Sequence, residues 1–109
     1  MPLQPQYYTL VDGQPQPELD PDAWVRWLST ANRRVELTRL VDGNGEKARV
    51  STVFLGEDKS FSNEAHDPIL WETLVIGGTY DSCCGRWASE EEARHGHAQF
   101  VEMVRAPRS

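Results

Sequence analysis

The chain is poor in cysteine. It has two, and they are neighbours, Cys83 and Cys84. Zinc motifs separate paired cysteines by about two to four residues so that both thiolates can turn to one ion. A disulfide between adjacent residues closes a small strained ring, and a reducing compartment opposes it further. Neither a thiol metal site nor a structural bridge is expected. One cysteine reads as a small buried hydrophobe and the other as a solvent-facing thiol. Bases are also scarce, 11 against 17 acids, for a net charge of -6. Proteins that grip a nucleic-acid backbone need clustered Lys and Arg, so direct nucleic-acid binding is not expected. No apolar run approaches the roughly 18 residues of a membrane span. The start "MPLQPQYYTL" has neither a charged n-region nor an apolar h-region, which points to a cytoplasmic protein. Signatures of catalysis are missing too: no G-x-S-x-G, no P-loop and no dinucleotide-binding glycine pattern.

What is present supports a folded unit. A length of 109 residues, 39% of them hydrophobic and four of them Trp, suffices for one domain over residues 1–109 with a single core. Residues 1–5 and 106–109 read as frayed ends. Tyr7 to Val11 suit a first strand, and "DGQPQPELDP" then reads as a break. Asp20 as N-cap and Pro21 at the first helical position open a helix. Its stripe of Trp24, Trp27, Leu28 and Ala31 falls at i, i+3, i+4 and i+7, and should dock it firmly on a sheet.

"VELTRLV" and "KARVSTVFLG" read as strands joined around "DGNGE", whose Asp-Gly and Asn-Gly pairs tolerate positive φ. "ILWETLVI" is apolar on both alternating faces apart from Glu72 and Thr73, the pattern of a central strand covered on both sides. A last short strand falls within "YDSCCGRW". Ser89 and Glu92 form a capping box for a final helix, with Ala93, His97, Phe100, Val101 and Val104 on its core face. The order β-α-β-β-β-β-α gives an α+β fold, a mainly antiparallel sheet of about four to five strands with two helices. Either the helices cover opposite faces of the sheet, or one face meets a partner chain.

The candidate chemistry is thin. His95 and His97 lie two residues apart, about 200° around a helix, whereas helical metal pairs need a spacing of three or four. His97 reads as a core histidine and His95 as a surface one. The polar loop of residues 57 to 67 holds hard-ligand types without the spacing of a calcium loop. Its Asp58, Phe61 and Asp67 are candidate partner-binding residues, because polar loops carry recognition. Arg33 and Arg34 join them as candidate contacts. They also suit the negative end of the first helix. Glu72 needs a cation or an opening, and Arg33, Arg34 and Arg39 are the expected partners. Its other reading, a general acid or base, requires His66 or His97 beside it. No catalytic, cofactor-binding or metal residue is assigned.

The segments "ANRRVELTRL", "VSTVFLGEDKSF", "ILWETLVIGGTYD" and "RWASEEEARHGH" occur in that order. The chain resembles, over residues 7 to 97, a widespread set of short tailed-phage and prophage proteins, especially of actinobacterial hosts. Glu72, Thr73, Gly77 and Gly78 match one of its strand blocks. Ser89, Glu91, Glu92 and Ala93 match its terminal helix, which ends in the Gly96-His97 pair. Cys83-Cys84 and "DGNGEKA" depart from the pattern. The resemblance implies a phage origin, and so the host cytoplasm as the place of action, and no particular reaction. The expected function is that of a small acidic non-enzymatic phage accessory protein that binds a host or phage protein, a host defence protein being the candidate target. The alternatives are a nucleotide or small-ligand binder at a homodimer interface, with Arg33, Arg34 or Arg39 lining its pocket, and a phage structural component.

Overall fold

A computed structural model describes residues 5–60 and 67–107. Its elements follow the expected order, with the first strand doubled into a hairpin. They are β1 (Tyr8–Val11), β2 (Gln14–Pro17), α1 (Pro21–Thr30), β3 (Arg34–Val41), β4 (Lys47–Phe54), β5 (Trp71–Ile76), β6 (Cys84–Trp87) and α2 (Glu90–Arg105). The fold is α+β. A four-stranded antiparallel sheet of order β3-β4-β5-β6 stands beside the two-stranded β1-β2 ribbon.

The stretch read as a break is β2. Asp12 and Gly13 both take positive φ, 52° and 79°, and turn the chain in two residues. Pro15 and Pro17 pair with Leu10 and Tyr8. Only alternate pairs of an antiparallel ladder exchange N–H bonds, so two prolines two apart fit the free side of a ribbon strand.

Both helices start where their caps place them. Asp20 accepts from the Asp22 N–H at 3.0 Å, and Ser89 accepts from the Glu92 N–H at 3.1 Å. α2 packs against all four strands of the larger sheet, whereas the backbone of α1 approaches only β1. No residue of α1 is fully buried. Its tryptophans anchor it at the rim instead. Trp24 Nε1 donates to the Tyr8 and Gly56 carbonyls at 3.1 and 3.0 Å, and the Trp27 ring meets Phe54 edge-on at 5.9 Å. The expected docking of α1 on a sheet is met at the rim, against β1 and Phe54, with no α1 residue fully buried. Indole N–H groups need partners, and the carbonyls that serve Trp24 lie at the sheet's end rather than over its face.

The core lies between α2 and one face of the sheet. Phe54, Leu70, Trp71 and Ala93 form one buried group, and Ala48, Val50, Val75, Val101 and Val104 another. Each large apolar side chain withdrawn there contributes about 1.5–3 kcal/mol. Gly96 brings α2 close: a Cβ there would lie 2.3 Å from the Trp87 ring. Asp42 is buried in the β3–β4 turn, where it accepts from the N–H groups of Asn44, Glu46 and Thr79. These bonds, led by those from Thr79 and Glu46, hold its carboxyl below the usual aspartate value and tie two turns together. Ala106, read as part of a frayed tail, packs its carbonyl against Gly43.

Candidate functional site

Strand alternation sorts the sheet into two faces. Ala48, Val50, Thr52 and Phe54 of β4 and Trp71, Thr73 and Val75 of β5 are buried toward α2. The alternating residues point the other way, and no described helix covers them. The central-strand reading of "ILWETLVI" is therefore corrected. β5 is internal to the sheet, but among the described residues a helix covers one face only, and Glu72, Leu74 and Ile76 are half-buried on the other.

Register defines this open face row by row. Arg39 lies opposite Arg49, and Arg49 opposite Ile76. Leu37, Ser51, Leu74 and Cys84 form the next row. Arg34, Val53, Glu72 and Arg86 form the third. Val41 and Lys47 close the turn end. Arg34 stays on this face because a register shift before Glu36 adds one residue to β3. The face thus carries five bases, Arg34, Arg39, Lys47, Arg49 and Arg86. Among the described residues, Glu72 is its one acid.

Glu72 is bound to Arg86 at 3.0 Å. Its expected partners among Arg33, Arg34 and Arg39 are corrected to a base on β6, the strand directly across from it. Arg34, Arg39, Lys47 and Arg49 have no acidic partner among the described residues. Like charges placed directly across a strand pair destabilise it. Arg39, Lys47 and Arg49 also border a depression of about 380 Å³ with Ile76 and Gly77 in its wall. The bases are spread over "RVELTRLV" and "KARVS", so no run of charge marks them. Their common face appears once the hairpin register sets Val41 against Lys47.

The residues singled out in the sequence fall in different places. Arg34 is exposed on the open face. Arg33 donates to the Phe54 carbonyl at 3.1 Å and braces the sheet edge. Asp58 is half-buried, and its Oδ1 accepts from the Ser60 and Ile69 N–H groups at 3.0 Å each, closing the neck of the loop. Asp67 is exposed. Phe61 and His66 lie outside the described residues.

His97 is buried under α2, as its place on the apolar stripe requires, and His95 is exposed. A polar chain crosses the core at His97. Trp87 Nε1 donates to Thr73 Oγ1 at 3.0 Å, Thr73 and Thr52 hydroxyls meet at 2.6 Å, and Thr52 Oγ1 lies 2.7 Å from His97 Nδ1. Indole N–H can only donate, so satisfying every member makes Thr73 donate to Thr52 and Thr52 to Nδ1. Nε2 then carries the proton and faces Thr38 Oγ1 at 2.9 Å and Glu36 at 3.4 Å. Burial lowers the His97 pKa, and Glu36 partly opposes that shift. Glu72 lies on the opposite face of the sheet, so His97 and Glu72 share no cleft.

Cys83 and Cys84 are both exposed free thiols, which corrects the expectation that one is buried. Cys84 pairs with Leu74 on the face away from α2, so its parity keeps it out of the core. Among the described residues, no group of three or more His, Cys, Asp or Glu could hold a metal ion. No described helix is long and apolar enough to cross a membrane. No protein-family model matches the chain, and no curated protein or solved structure shows significant similarity to it.

Proposed function

We propose that this protein is a non-enzymatic binding protein that engages another protein through the open face of its four-stranded sheet. The observation that carries this reading is the face itself: a sheet surface that no described helix covers, with an apolar middle and, among the described residues, five bases against one acid. A solvated face of an antiparallel sheet is ordinarily polar, whereas this one carries Leu37, Val53, Leu74 and Ile76 among its bases. The separation of Glu72 from His97 by the thickness of the sheet supports a role without catalysis. The phage resemblance supports an accessory role in the cytoplasm of the host, with a host defence protein as the target.

Immobilised protein exposed to lysate of an actinobacterial host tests this reading. A protein retained by wild type and by a Glu102→Lys control on the outer side of α2, but lost with Leu74→Asp, supports it. Retention that Leu74→Asp leaves unchanged overturns it.

A second reading has one specific observation behind it. Arg39, Lys47 and Arg49 border the depression beside Ile76, an arrangement suited to a nucleotide or another small anion. A bound nucleotide would raise the melting temperature, because it binds only the folded state. No shift with any nucleotide at millimolar concentration would remove this reading.

A further inference from the structure

We infer that the partner presents an acidic amphipathic helix to the open face, its carboxylates meeting Arg39, Lys47 and Arg49 and its apolar side chains covering Leu37, Val53 and Leu74. This rests on the reading that the open face is the binding face.

Three observations choose this occupant. The first is charge. Arg39 and Arg49 are cross-strand neighbours, and Lys47 is two residues from Arg49 on the same side of β4. With no acid beside them among the described residues, they repel one another until an anion arrives. A second copy docked by the same face around a two-fold axis would oppose base to base, and is disfavoured.

The second observation is the distribution of aromatic side chains. Phe54, Trp71 and Trp87 all point toward α2. Single-stranded nucleic acid is held by bases stacked on aromatic rings combined with a basic groove. On this face the bases are interleaved with aliphatic side chains instead. A carboxylate-bearing polypeptide with its own apolar stripe complements that mixture, and a phosphate backbone does not.

The third observation is layering. α2 covers one face of the sheet, and no described helix covers the other. Ser51, a short side chain, lies between Leu37 and Leu74 in one row. A helix laid across that row would cover its aliphatic side chains and give the sheet a helix on each face.

Fluorescence anisotropy tests the inference with three labelled probes. They are a helical peptide with a leucine stripe flanked by glutamates, the same peptide with lysines replacing the glutamates, and a single-stranded oligonucleotide. The glutamate peptide should bind, with affinity falling as salt rises, and Arg39→Ala with Arg49→Ala should weaken it about tenfold. Both positions are exposed, and an unchanged circular dichroism spectrum confirms that the variant folds. Equal binding of the lysine peptide, tighter binding of the oligonucleotide, or no binding of any probe would overturn the inference. The lysate experiment separates the two levels. A captured protein lost with Leu74→Asp but kept by the double alanine variant overturns the acidic helix and leaves the open face. One kept by both variants overturns both.

Discussion

Arg39 and Arg49 face each other across β3 and β4, and no described acid lies between them. An arrangement that costs stability in the free protein is informative when its members are exposed and could be exchanged for neutral residues without disturbing the core. Thr, which suits a strand, would remove the repulsion. Arg39→Thr should therefore raise stability by about 0.2–1 kcal/mol, and added salt should stabilise the wild type more than the variant. Urea denaturation at low and moderate salt measures both. A stability loss in Arg39→Thr would mean that the guanidinium has a partner in the folded protein.

Gly96 lies against Trp87, and any side chain there meets the indole. Gly96→Ala gains about 1 kcal/mol of helix propensity but drives a Cβ into a ring that Gly85 confines from the sheet side. Overpacking of this kind costs about 1–3 kcal/mol, so the variant should melt at a lower temperature. His95 next to it is exposed and touches no such ring, so His95→Ala should leave the melting temperature unchanged.

His97 makes stability depend on pH with a definite sign. Its pKa lies below the ordinary 6.5 in the folded protein, chiefly because the ring is buried. Above about pH 6.5 the ring is neutral whether the chain is folded or not, and stability is full. As pH falls below that value the unfolded chain takes up the proton first, and stability is lost until the folded ring also titrates. Urea midpoints between pH 7 and 5 should fall more steeply in the wild type than in His97→Leu. The variant itself should be about 1–3 kcal/mol less stable at pH 7, because Thr38 and Thr52 lose their shared partner.

Ser89 caps α2 through the Glu92 N–H, and Ser89→Ala should cost about 1 kcal/mol. Circular dichroism should show the loss as a lower melting temperature with the same helical signal at 25 °C.

These features differ in how far the sequence announces them. Ser89, Asp20 and the stripe through His97 follow from local rules, capping and a period of 3.6, that act within one helix. The hairpin around "DGNGE" follows from two pairs of turn-forming residues. The placement of α1 does not, because the tryptophan stripe states that a surface is covered and leaves open which one. The tie from Glu72 to Arg86 depends on the register between β5 and β6, which no local pattern encodes. The basic face was concealed by averaging: a chain with a net charge of -6 holds five bases on one side of one sheet. Asp58 stands out as an acidic loop residue, yet its Oδ1 is occupied by two backbone N–H groups at the loop's neck.

The most direct test of the open face as the binding surface uses a native reporter. Cys84 pairs with Leu74 on that face, and its thiol is exposed. In a Cys83→Ser background, the rate of Cys84 alkylation by a maleimide can be followed with and without the captured partner. Binding through the open face predicts alkylation slowed about tenfold or more at saturating partner, in line with the fraction of complex that must open for reagent to enter. An alkylation rate that saturating partner leaves unchanged would contradict it.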